Sequence, residues 1–169
     1  MRVTELQAPN KLQLAAERYA LIKLGSLNLM LLQDGIRTLE SIADLESKEP
    51  PANGIGWISF QGSAWPVYCL TEDLGIHDTL PESYRICALL SIENGFVGLV
   101  CNEVILMAKN EVRPQSIPVC MVSANSPITA LVHYEDSMAC LTSPQLLADF
   151  LTFQDTGISH LKTSRSHYG

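Results

Sequence analysis

Short apolar runs, each cut by a tight-turn signal about every 8 to 12 residues, constrain this chain more than any other feature of its sequence. Tyr19 to Leu24 and Leu27 to Leu32 flank Gly25-Ser26, and Ile55 to Phe60 and Ala64 to Leu70 flank Gln61-Gly62-Ser63. Arg85 to Ile92 and Phe96 to Cys101 flank Glu93-Asn94-Gly95, and Ile128 to Tyr134 and Met138 to Leu141 flank Glu135-Asp136-Ser137. Aromatic and β-branched residues on both sides of residues that tolerate positive φ are hairpin signals, so four hairpins are expected. Units of the βαβ kind would need long helical crossovers between runs. The pattern therefore predicts a mainly β sandwich or a set of barrels.

The remaining segments are less regular. Ile36, Leu39 and Ile42 are spaced by three, which suits a helical turn as well as an irregular strand. Ala43 to Asn53 is rich in Glu and Pro, and Pro50-Pro51 excludes regular structure, so an exposed loop is expected. Thr71 to Gly75 reads as a single helical turn with Thr71 as cap and Gly75 as stop. Asn102 to Ala108 reads as a continuation of the Phe96 to Cys101 strand. Ser143 to Phe153 is expected to be a helix: Ser143 can cap it, Pro144 suits the first helical position, and Leu146, Leu147, Phe150 and Leu151 share a face. Residues 1–17 read as an N-terminal arm and residues 154–169 as a flexible tail.

Charge narrows the partners. Eleven Lys and Arg stand against 18 Asp and Glu, a net charge of -7, and the basic residues are scattered singly. Nucleic acid and anionic lipid both require a basic face, so neither is an expected partner. No apolar run approaches the roughly 20 residues that cross a bilayer, and the N-terminus lacks the charged-then-apolar order of a signal peptide, so the expected location is cytoplasmic. The five cysteines, Cys69, Cys87, Cys101, Cys120 and Cys140, contain no Cys-x-x-Cys and sit in apolar runs, as small reduced core residues do.

No catalytic constellation is apparent. The histidines at 77, 133, 160 and 168 lack metal-binding helical spacing, and there is no nucleophile elbow, phosphate-cradling loop or His-Glu-x-x-His. The pairs Glu72-Asp73 and Glu135-Asp136 fall in polar turns, where solvent keeps carboxylates ordinary. Two rival classes stay open: a small-molecule-binding β-barrel, and a cryptic thiol enzyme using Cys101 or Cys120 with His133 as base. An oligonucleotide-binding barrel fits the strand count but not the acidic balance.

The order hairpin, exposed loop, Gly-turn hairpin, helical turn, Asn-Gly hairpin and terminal helix resembles the CheW family from about Tyr19 to Leu151. The matching phrases are Leu21-Ile22-Lys23-Leu24-Gly25, then Gly56-Trp57-Ile58-Ser59-Phe60-Gln61-Gly62 with Ala64-Trp65-Pro66-Val67-Tyr68-Cys69-Leu70, and Phe96-Val97-Gly98-Leu99-Val100-Cys101-Asn102-Glu103-Val104. The resemblance implies two small five-stranded barrels of the SH3/OB kind, packed together within residues 18–153. The sub-barrels would take about 18–75 and 84–142, sequential or interleaved, with a helix over 143–153. It further implies a scaffold without catalytic centre, metal or cofactor, which joins a methyl-accepting chemoreceptor tip to the regulatory domain of a CheA-type histidine kinase in two-component chemotaxis signalling. The protein-binding residues carried over are Ile36, Leu39, Gly56, Gln61 and Gly62.

Four positions depart from the family pattern. Gln61 stands where the family usually has Arg, and Cys69, Asn102 and Thr142 stand where it usually has Asp. Losing an Arg and three carboxylates would remove charge-assisted contacts that orient partners. The expectation is a divergent adaptor, such as one serving a gliding or twitching (type IV pilus) pathway.

Overall fold

The protein, analysed as a computed structural model, is described over residues 18–121 and 125–152. The arm expected over 1–17, the tail over 154–169, and Phe153 at the end of the expected helix lie outside the described residues.

The described residues form twelve strands: β1 (Tyr19–Leu24), β2 (Leu27–Leu32), β3 (Ile36–Ser41), β4 (Gly56–Phe60), β5 (Ser63–Leu70), β6 (Ile76–His77), β7 (Ile86–Ile92), β8 (Gly95–Cys101), β9 (Glu103–Met107), β10 (Pro114–Gln115), β11 (Ala130–Tyr134) and β12 (Ser137–Leu141). A helix, α1, covers residues 144–152. One sheet has the order β10-β11-β12-β2-β1-β9; the other runs β3-β7-β8-β5-β4, with β6 paired to the end of β5. Each sheet thus has five substantial strands and one of two residues, and the architecture is mainly β. Sheet membership interleaves along the chain, since β1, β2 and β9 to β12 build one sheet while β3 to β8 build the other.

All four expected hairpins form on two-residue loops, which in the last three are one residue shorter than the turn signals. Leu24 pairs with Leu27 across Gly25-Ser26, Phe60 with Ser63 across Gln61-Gly62, Ile92 with Gly95 across Glu93-Asn94, and Tyr134 with Ser137 across Glu135-Asp136. Ser63, Gly95 and Ser137 therefore open the returning strands. Two-residue loops match the right-handed twist of the flanking strands best, and Gln61 (φ 52°) with Gly62 (φ 79°) supplies the two positive φ values of a type I′ turn.

Three irregular segments differ from or refine the sequence reading. The Ile36 to Leu39 segment is a strand, with a register shift against β7 between Ile36 and Thr38 that accounts for its unstrandlike spacing. Thr71 to Gly75 is a hydrogen-bonded turn and not a helical one, because Leu74 adopts φ 63° and turns the backbone out of the helical path. Thr71 and Gly75 still close it, through Gly75 N donating to Thr71 Oγ1 at 2.8 Å and Thr71 N donating to the Gly75 carbonyl at 2.7 Å. Asn102 breaks the strand expected to continue to Ala108: β8 ends in one sheet and β9 begins in the other. The 43–53 loop is largely exposed, and Glu46 bridges Trp57 on β4 through two 2.8 Å backbone bonds.

Burial explains the long apolar runs in β1 and β2. Leu21 and Met30 point into a small core with Val112, Val132 and Ala139. Ile22, Leu24, Leu29 and Leu31 point the other way, into a larger core with Ile58, Val67, Leu89, Leu99 and Val100 of the second sheet. Strands covered on both faces read as continuous hydrophobic runs instead of alternating ones. Helix α1 closes this core with Leu147 and Leu151, and its first turn is capped by Ser143 Oγ, which accepts from Leu146 N at 3.2 Å.

Leu31 is fully buried in the larger core, whereas Leu106 on edge strand β9 is 47% exposed. Leu31→Ala should therefore lower unfolding free energy by about 3 kcal/mol, and Leu106→Ala should change it by no more than about 0.5 kcal/mol, as read from urea denaturation.

Candidate functional site

Strand β3 lies at the edge of its sheet and pairs with β7 alone. Along it Ile36, Thr38 and Glu40 are half-buried while Arg37, Leu39 and Ser41 are exposed. The two residues proposed from the sequence here are thereby separated. Ile36 packs against the larger core, and Leu39 presents a large apolar side chain, 47% exposed, to solvent.

The β4–β5 hairpin is brought to β3 by Arg37, whose guanidinium carbon sits 5.8 Å from the Phe60 ring centroid. Phe60 packs edge-on against Phe96 at 5.3 Å, and Trp65 packs edge-on against Phe96 at 5.1 Å. Trp65 Nε1 donates to the Phe60 carbonyl at 3.1 Å. A Cβ on Gly95 would lie 2.2 Å from the Trp65 ring, so glycine there is what lets the β7–β8 turn close over the indole. This cluster braces the loop that carries Gln61 and Gly62, and both of those residues are exposed. Gly56 is separate. It begins β4, about 13 Å from Phe60 at about 3.3 Å per residue, and is buried with the Glu46 carbonyl 2.5 Å from where a Cβ would stand. Its glycine is demanded by that close backbone approach. Sequence reasoning missed Arg37 and Phe60, whose contact depends on the curl of the sheet and leaves no mark in local spacing.

Trp65 is thus a brace between hairpins. Trp57, half-buried, donates from Nε1 to the Glu49 carbonyl at 2.8 Å and anchors the exposed loop.

The thiols are poorly placed for nucleophilic chemistry. Burial pushes Cys69 up to about 11 and Cys87 and Cys101 up to about 12, and it raises Cys140 as well. Cys101 is fully buried, while His133 is exposed on β11. Cys120 is exposed. The described residues also hold a cleft of about 580 Å³, open to solvent, between the β1–β2 turn, the Thr71–Gly75 turn and the 81–84 segment.

No protein-family model matches the sequence, and no curated protein is detectably similar. Among solved structures, the chain superposes on a scaffolding protein, TtCheW from Thermoanaerobacter tengcongensis. The match has a TM-score of 0.56 at 18% identity and covers 78% of this chain and 87% of that one. The chain has the CheW fold.

Of the four departures from the CheW pattern, Cys69 and Thr142 are buried and Asn102 is half-buried and bonded within the chain, which revises their expected effect on partner contacts. Asn102 Oδ1 accepts from Gly25 N at 2.6 Å, and its Nδ2 donates to Ser83 Oγ at 3.0 Å and to the Ser83 carbonyl at 3.3 Å. An aspartate could accept from Gly25 N and, with the donor reversed, from the Ser83 hydroxyl, but it could not donate to the Ser83 carbonyl. Thr142 is buried and donates from Oγ1 to the Pro127 carbonyl at 2.8 Å, again a bond a carboxylate cannot supply. Cys69 is fully buried in the larger core, where an ionised aspartate would be costly. Gln61 is exposed at the hairpin tip, where it changes the charge of the outer surface.

Two outcomes follow for this CheW-like chain. Asn102→Asp should lose the donor bond to the Ser83 carbonyl and cost about 1 kcal/mol of stability by thermal or denaturant unfolding, with the β1–β2 turn otherwise retained. The buried thiols should make the protein lose stability in alkali. Their pKa values are raised by folding, so the protonated thiols favour the native state fully below the unfolded value of 9.0, and that contribution drains away as pH rises toward about 12. Iodoacetamide at neutral pH should label Cys120 first and reach Cys69, Cys87 and Cys101 only with unfolding, as read by mass spectrometry.

Proposed function

We propose that this chain is a non-catalytic cytoplasmic adaptor that couples chemoreceptors to a CheA-type histidine kinase in a chemotaxis-like pathway. The supporting observation is Leu39: on a chain with the CheW fold, an edge strand presents an apolar side chain 47% exposed, beside Arg37 and close to the β4–β5 hairpin. An exposed Leu next to an Arg on a rigid sheet edge is the kind of anchor that protein interfaces use, with the apolar contact giving affinity and the charge giving orientation. The two-core construction supports the same reading, because a scaffold transmits by holding partners in fixed geometry and needs no reactive group. Gln61 at the exposed tip, where the family carries Arg, fits an adaptor whose partners differ in charge, as in a gliding or twitching pathway. No helix among the described residues is long and apolar enough to cross a membrane. The thiol-enzyme alternative is disfavoured for Cys101, whose thiol burial pushes up to about 12.

Leu39→Glu is the informative variant, since Ile36 packs against the core and its replacement would mix folding with binding. With the regulatory domain of the kinase or the cytoplasmic tip of the receptor as bait, Leu39→Glu should weaken capture by at least about tenfold while circular dichroism stays native. Undiminished capture of both baits by a natively folded Leu39→Glu protein would refute the assignment of this surface.

A further inference from the structure

The cleft beside the β1–β2 turn has a composition that the adaptor reading does not use. Pro81 and the accessible edge of Tyr84, which is 6% exposed, give it an apolar floor; Leu70 also lines it but is fully buried, and His77 and Ser83 add to the lining. Its rim is acidic: Glu72 and Asp73 line it, and from Thr71 to Tyr84 the chain has four carboxylates (Glu72, Asp73, Asp78 and Glu82) and no lysine or arginine. Both rim carboxylates are held in place. Glu72 Oε1 accepts from Ser26 N at 3.0 Å, and Asp73 Oδ1 accepts from Thr71 Oγ1 within the turn that Gly75 closes. The hydrogen bond from the Thr71 hydroxyl first, and then those from the backbone N–H groups of Asp73 and Gly75, keep the Asp73 carboxyl below its ordinary pKa and therefore charged at neutral pH.

We propose that this cleft docks an arginine-bearing segment of a partner protein, with the aliphatic stem lying on Pro81 and the accessible edge of Tyr84 and the guanidinium reaching Glu72 and Asp73. Charge complementarity selects the occupant. An apolar floor with an anionic rim matches a side chain that is apolar along its stem and cationic at its head. Arginine suits the two carboxylates better than lysine because its planar fork can engage both at once, and its weaker hydration lowers the cost of leaving water. Carboxylates already fixed by hydrogen bonds lose little further freedom when the guanidinium arrives. Other occupants fit less well. The cleft is too open to enclose most of a small molecule's surface, and its rim repels a phosphate backbone. The described residues contain no group of three or more His, Cys, Asp or Glu able to hold a metal ion. The inference does not rest on the adaptor reading, since it follows from the cleft alone and its test uses neither kinase nor receptor.

The test is an NMR titration of the full isotope-labelled chain with the peptide acetyl-Ala-Leu-Arg-Leu-Ala-amide, and with its citrulline analogue, which keeps the shape of arginine without the charge. Shift changes should concentrate on the amides of Gly25, Thr71, Gly75 and Tyr84, with the arginine peptide binding about fivefold more tightly than the citrulline one, an advantage that added salt erodes. Glu72→Gln combined with Asp73→Asn retains the acceptor oxygens for Ser26 N–H and the Thr71 hydroxyl, so the turns should stay folded while the arginine preference disappears. Equal affinity for the two peptides, shifts centred elsewhere, or no saturable binding up to about 10 mM would overturn the proposal.

Discussion

Everything in this molecule depends on β1 and β2 being buried on both faces. Leu21 and Met30 commit one face to the small core, while Ile22, Leu24, Leu29 and Leu31 commit the other to the large one. Each such side chain contributes about 2 kcal/mol of hydrophobic stabilisation on burial, so one hairpin ties the two sheets into a single packing unit. A β-hairpin alone is marginal in water. This one is stable because neighbours cover it from both sides, with Leu147 and Leu151 of α1 completing the second cover.

The same arrangement decides where partners can touch. Interior strands are spoken for, leaving the edges, and the edges are partly guarded. Glu46 pairs with the outer side of β4, and Arg37 reaches across from β3 to the Phe60 ring. Guarded edges resist indiscriminate strand pairing. Among the exposed features are Leu39 on β3, the Gln61-Gly62 tip, and the acid-rimmed cleft at the β1–β2 turn.

The positions at which this chain departs from the CheW pattern illustrate how substitutions can move a residue's work inward. Asn102 sits at the corner where the chain leaves one sheet for the other, and its amide fastens Gly25 of the first hairpin to Ser83 of the connecting segment. Thr142 fastens the end of β12 to Pro127. The bonds to the Ser83 and Pro127 carbonyls need a donor, which an aspartate lacks. At Asn102 and Thr142 the side chain thus serves as a clasp within the fold, while Gln61 stands at the surface.

Local sequence determined the hairpins and the terminal helix. Turn residues between apolar runs and a Ser-Pro start before a leucine-bearing face are governed by φ preferences and capping, which act over a few residues. That reach also explains the errors: Leu74 entering positive φ, Asn102 breaking an apparently continuous strand, and Ile36 parting from Leu39 at a bulge are imposed by packing with distant segments. The candidate surface was legible only residue by residue. Leu39 and the Gln61-Gly62 turn stood out, but whether each faced solvent or core, and that Arg37 would join them through Phe60, was decided by the curl of a sheet whose strands are up to tens of residues apart. A period of two tells which residues share a strand face. Only the assembled tertiary structure tells which face meets water.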